Sequence, residues 1–144
     1  MAEVGERKSK LFVCTHGRFG EELIRTAEMI VGEIKDVTPF SLLPETSPEE
    51  LKEAVRTELE KGRNESFLCL VDLLGGTPFN VMAEFRKEYD ITIVTGLNLP
   101  MFLEAYGEFS GRPVWETAEC AGEALKDSGR VIKSIKAEEE DNGC

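Results

Sequence analysis

The chain has 144 residues, a formal net charge of −11, one histidine and four cysteines. This length suits one domain with a real core, and the acidic balance excludes nucleic acid as a main partner, because phosphate-backbone binding needs a basic patch. The cysteines at 14, 69, 120 and 144 form no CxxC pair and no run is long and apolar enough to cross a bilayer, so neither a disulfide framework, a metal site nor a membrane span is expected.

Residues 1–9 read as a flexible lead: the start through Lys10 is charged and lacks the apolar core of a secretion signal. Lys10 to Thr15 predicts a fully buried strand. Phe19, Leu23, Ala27 and Ile30 then recur at helical spacing, with Gly32 to stop the helix. Val37 to Leu43 predicts a second strand, in which Pro39 marks a position that needs no backbone donor. Ser47-Pro48-Glu49-Glu50 combines a capping serine, an early proline and a glutamate three residues after the cap, a strong helix start. Leu51, Val55 and Leu59 form the buried stripe of that helix, and Gly62 ends it.

Ser66 to Val71 predicts a third strand, followed by Asp72, Leu73-Leu74 and Gly75-Gly76. Thr77-Pro78 opens a third helix, with Thr77 expected as its N-cap. Ile91 to Thr95 predicts a fourth strand, and Pro100 a short helix through Met101 and Leu103, with Asn98 a turn residue before it. Val114 to about Asp127 predicts a last helix with Gly129 as C-cap, and Arg130 to Ile135 a short terminal strand. Strand and helix alternate without repeats, which predicts an α/β fold: a doubly wound, mainly parallel four-stranded sheet flanked by helices, with a short C-terminal edge strand. The expected organisation is a single domain over 10–136 and an acidic flexible tail over 137–144, where Glu138-Glu139-Glu140-Asp141 lies.

His16, the only histidine, ends the first strand, Asp72 the third, and the loop from Gly96 to Pro100 the fourth. A doubly wound sheet commonly sets strands one and three side by side at its topological switch, which would make His16 and Asp72 neighbours. A carboxylate there would fix the ring's tautomer, expose the lone pair of the other nitrogen and stabilise the cationic ring formed on attack. With no serine or second acid to complete a hydrolytic set, the pair suits a histidine that takes up a group and passes it on. Gly75, Gly76 and Thr77 bring open backbone and a hydroxyl to a helix start, a ready anion site, and Gly17 extends the same access beside the ring. A phosphoryl group fits. Neither the lysine-bearing phosphate loop nor GxGxxG is present, so nucleotide binding is not indicated. Cys14 falls on the same side of the strand as His16 but inside the apolar run, which argues against a nucleophile.

Leu73, Leu74, Leu99 and Phe102 should lie in or beside the loops around this edge, with Arg18, Phe19 and Asn98. Exposed, they are a docking surface for a protein partner; buried, the apolar ones only close the core.

Thr15-His16-Gly17, Thr26-Ala27-Glu28-Met29, Val71-Asp72, Gly75-Gly76-Thr77-Pro78-Phe79-Asn80 and Gly96-Leu97-Asn98-Leu99-Pro100-Met101 together resemble the enzyme IIA component of the mannose-type (mannose/fructose/sorbose) sugar phosphotransferase system. The resemblance covers about Lys10 to Ile135. It implies a cytoplasmic phosphocarrier without cofactor or metal, whose histidine accepts phosphate from the carrier protein HPr. That histidine then passes the phosphate to a histidine of enzyme IIB, on a separate chain, serving a membrane sugar-transport complex. On this likeness His16 is the phosphorylated residue at Nε2, Asp72 orients it through Nδ1, and Thr77 stands where the family often has serine. Leu73-Leu74 departs from members with a tryptophan before the two glycines. The resemblance also implies a homodimer in which the last strand, Arg130 to Ile135, crosses to the other subunit. Other readings are a domain serving dihydroxyacetone kinase, a regulatory module read out by His16 phosphorylation, and a hydrolase with Asp72 as nucleophile.

Overall fold

The computed structural model describes residues 9–136; the expected lead and acidic tail, apart from Ser9, lie outside the described residues. Four parallel strands alternate with helices: β1 (Ser9–His16), α1 (Phe19–Val31), β2 (Val37–Leu42), α2 (Pro48–Lys61), β3 (Ser66–Val71), α3 (Thr77–Phe85), β4 (Asp90–Thr95), α4 (Leu99–Glu108) and α5 (Val114–Asp127). The strand order is β2-β1-β3-β4, so the chain reverses its direction of growth between β1 and β3, the switch point of a doubly wound sheet. Every pairing is parallel.

Parallel strands are buried on both faces, which explains why β1 and β3 read as continuous apolar runs rather than as alternating ones. Phe12, Phe67 and Cys69 point to one face, where Leu51, Val55 and Leu59 of α2 and Val81, Met82 and Phe85 of α3 meet them. Leu11, Val13, Leu68 and Leu70 point to the other, against Leu23 and Ala27 of α1, Met101 and Phe102 of α4, and Val114 and Ala121 of α5. Pro39 sits in β2, an outer strand of this sheet, where a missing donor is tolerated.

Helix ends follow local chemistry. Ser47 accepts from the Glu50 N–H while the Glu50 carboxylate accepts from the Ser47 N–H, a complete capping box. Three boundaries differ from expectation. Gly76, not Thr77, is the N-cap of α3, because the helix begins one residue earlier and Pro78 still fits its first turn. Asn98 is the N-cap of α4, accepting from the Met101 N–H at 2.9 Å. Ser128 takes the C-cap position of α5, with Gly129 beyond it.

The expected terminal strand is absent: residues 130–136 carry no strand, and Val131, Ile132 and Ile135 are 90%, 87% and 84% exposed. A strand exists only through a neighbour's backbone groups, and this segment pairs with no strand of its own sheet. The stripe of α1 is also narrower than its periodicity suggests, since Leu23 and Ala27 are buried but Phe19 and Ile30 are exposed.

Candidate functional site

The carboxyl ends of β1 and β3 bring His16 and Asp72 together. Cys14 pairs with Val71 across the two strands, so the residues that follow emerge side by side. The His16 backbone N–H donates to Asp72 Oδ2 at 3.0 Å, and ring Nδ1 lies 3.0 Å from the same oxygen. One carboxylate oxygen therefore grips both the backbone and the ring. The other, Oδ1, is buried with no hydrogen-bond partner among the described residues. The Asp72 side chain is 14% exposed and that of His16 46%: the orienting group is shielded while the ring remains open to a partner. With Nδ1 protonated and donating to Asp72, Nε2 keeps its lone pair.

The ring rests against the start of α3. A Cβ added at Gly76 would lie 2.8 Å from His16 Cε1 and 3.3 Å from Nε2, so only glycine lets the backbone approach the ring this closely. The N–H groups of Thr77 and Phe79 in the first turn of α3 have no intrahelical acceptor and carry the positive end of the helix dipole. Gly75 and the half-buried Thr77 flank the same turn. Gly17 is different from expectation. Its amide already donates to the Leu42 carbonyl at 2.8 Å, so it offers no free donor; its φ of 57° instead makes the turn out of β1 that glycine adopts without strain. Among the described residues no group of three or more His, Cys, Asp or Glu side chains is placed to hold a metal.

The profile of the family described as PTS system fructose IIA component, EIIA-man, matches residues 10–120. The chain belongs to the mannose-type IIA family of the phosphotransferase system. It is 30% identical over 131 residues to the mannose-specific EIIAB component of Escherichia coli strain K12, a match covering 88% of this chain and 39% of that protein's length. It is likewise 30% identical over 96 residues to the sorbose-specific EIIA component of Lacticaseibacillus casei, covering 66% of this chain and 70% of that one. The solved mannose/sorbose specific IIA subunit from Enterococcus faecalis superimposes with a TM-score of 0.82 at 32% identity, covering 88% and 96% of the two chains.

Around the site of this IIA protein the docking candidates divide. Leu73 and Leu74 are 59% and 68% exposed and Phe19 45%, an apolar rim beside His16. Phe102 is fully buried and Leu99 packs partly buried on the same core, so both close the sheet end instead. The Asn98 side chain is occupied: Oδ1 caps α4, and Nδ2 donates to Ser128 Oγ at 3.0 Å. Arg18 is exposed, with its guanidinium 3.5 Å from Glu21. The hydrogen bond that Ser41 donates to Glu21 at 2.5 Å holds that carboxyl below its ordinary value, and Arg18 adds to the effect. Cys14 is buried and desolvated, which pushes its thiol up to about 12, with Asp72 contributing; it is a core residue, not a nucleophile.

Sequence reasoning gives no structural role to Thr15 in β1, Gly20 and Glu21 in the first turn of α1, or Ser41 in β2, although their hydrogen bonds flank the turn that follows His16. The signal was faint: a threonine at a strand end reads as one more β-branched strand residue. Among the described residues no helix is long and apolar enough to cross a membrane.

Proposed function

We propose that this chain is a phosphohistidine carrier of a bacterial sugar phosphotransferase system, with residues 10–136 acting as one phosphocarrier domain in the cytoplasm. The observation that carries the reading is the single ring held by Asp72 at Nδ1 with its Nε2 edge turned to the start of α3. The Nε2 lone pair attacks the phosphorus of phosphohistidine on HPr. The P–N bond to HPr breaks and its electron pair returns to the departing imidazole. The Nδ1 proton stays on His16, where Asp72 stabilises the positive charge the ring gains. The amides of Thr77 and Phe79 and the Thr77 hydroxyl receive the phosphoryl oxygens. A second, similar displacement passes the group to a histidine of enzyme IIB, which serves a membrane sugar-transport complex.

The apolar rim of Phe19, Leu73 and Leu74, with Arg18 beside it, supports protein partners rather than a small substrate. A homodimer is part of the same reading: β4 is an outer strand, and the exposed Val131, Ile132 and Ile135 suit pairing with the β4 edge of a second copy.

The test is transfer of labelled phosphate from phosphoenolpyruvate through enzyme I and HPr. Wild type is expected to take up acid-labile, base-stable label, and His16→Ala none while keeping its fold. Label on the His16→Ala protein, or none on folded wild type, would overturn the reading. Discharge of the label by IIB, and not by dihydroxyacetone kinase components, is the expected second result.

A further inference from the structure

Thr15 precedes His16, and alternation along β1 turns its side chain to the opposite face of the sheet, beneath α1. It is completely buried. Its Oγ1 accepts the Gly20 N–H at 3.0 Å and lies 3.4 Å from the Gly17 carbonyl, to which it donates a longer bond. Gly20 is the second residue of α1, and the N-cap residue, Arg18, makes no side-chain cap. Thr15 therefore supplies, from the strand, the cap that the helix lacks. The contact requires glycine at 20, where a Cβ would lie 2.7 Å from Val13 Cγ1. The Gly17 N–H bond to Leu42 ties the same turn to β2. The loop from His16 to Gly20 is thus closed from beneath by one hydroxyl and from the side by one backbone bond.

This matters for His16 because Asp72 Oδ2 receives both its amide and its ring. That amide belongs to the Thr15–His16 peptide, so a shift of the backbone at Thr15 would move the amide and swing the ring off the carboxylate together. We propose that Thr15 is a positioning residue for His16: its hydroxyl locks the turn so that Nδ1 stays on Asp72 and Nε2 stays presented to the start of α3. Thr15 touches no transferred group. The inference deepens the phosphocarrier reading and rests on it for its kinetic consequence alone.

The chain's single histidine makes the test direct. Protein carrying nitrogen-15 histidine is compared as wild type, Thr15→Val and Thr15→Ser. In alkaline buffer, where the neutral tautomers are compared, wild type and Thr15→Ser should show the ring proton on Nδ1, and Thr15→Val a mixture of tautomers. In HPr-dependent phosphorylation, kcat of Thr15→Val should fall roughly 10–100-fold, with KM for phosphorylated HPr unchanged within about twofold. Thr15→Ser, which keeps the hydroxyl, should restore most of the rate even if its melting temperature drops. A Thr15→Val protein with the wild-type ring signature and kcat would overturn the proposal, as would a Thr15→Ser protein as impaired as Thr15→Val. If Thr15→Val does not fold, Thr15→Ala, which also removes the hydroxyl, takes its place with the same expected and contrary results. Failure of wild type to take up phosphate would instead break the phosphocarrier reading, while the ring spectra would still decide the role of Thr15.

Discussion

At the residue scale the site is a histidine whose freedom has been removed from three directions: Asp72 at the ring, Gly76 against its edge, and the turn that leaves β1. Gly76→Ala would put a methyl 2.8 Å from Cε1, and the ring, held at Nδ1, could move only by giving up Asp72. Phosphate uptake by that variant should fall by on the order of a hundredfold, with the fold intact by circular dichroism. Asp72→Asn leaves the shape but removes the charge that stabilises the ring cation, and transfer should slow by a comparable factor, on the order of a hundredfold; unchanged kinetics would refute its assigned role. The pairing of His16 and Asp72 was legible because both follow apolar runs that read as buried strands, and a doubly wound sheet commonly sets those two strands side by side. The roles of Thr15 and Gly17 were not legible. They depend on which donor meets which acceptor across a turn, and no periodicity reports that.

The elements show why boundaries follow capping chemistry more closely than hydrophobic pattern. The capping box at Ser47 could be read from four letters because both of its bonds are local. Ser47→Ala should cost about 1 kcal/mol of stability, measured by denaturant midpoint, without changing phosphate transfer, since neither bond of this cap involves His16 or Asp72. At α3 the same logic misses by one residue: threonine before proline looks like a cap, but the close approach of the ring demands glycine there, and the cap falls on Gly76. Leu99 and Phe102 could not be sorted from Leu73 and Leu74 by sequence, because all four are apolar residues near one sheet edge. The decisive difference is that α4 turns its apolar side down onto the core, while Leu73 and Leu74 sit on a loop with no helix face to bury them.

For the molecule as a whole, one sheet edge gathers the groups of the candidate site while the two faces hold the buried core. Cys14 lies where these meet, its thiol raised from an ordinary 9.0 to about 12 chiefly by burial, and Cys69 is raised by burial as well. The unfolded chain releases these protons before the native one does. Stability is therefore full below about pH 9 and is lost as pH rises toward about 12, with a slope of up to roughly 1.4 kcal/mol per pH unit for each thiol; denaturant titrations across that range should show the decline, and Cys14→Ser should flatten it. The alternation of strand and helix made the fold class readable, because it leaves few ways to cover a parallel sheet. The terminal strand expected over Arg130 to Ile135 is a different matter: its apolar pattern is real, but a strand needs a partner edge, and residues 130–136 find none in their own sheet. If a second copy supplies that edge, a chain ending at Gly129 should sediment as a monomer and the full chain as a dimer.

The central claim is that His16 carries phosphate on the ring nitrogen turned away from Asp72. Nitrogen-15 and phosphorus-31 NMR of the phosphorylated, histidine-labelled protein would identify the bonded atom. The account predicts one phosphorus coupled to Nε2 with the proton retained on Nδ1; coupling to Nδ1, or phosphorus on any other residue, would contradict it.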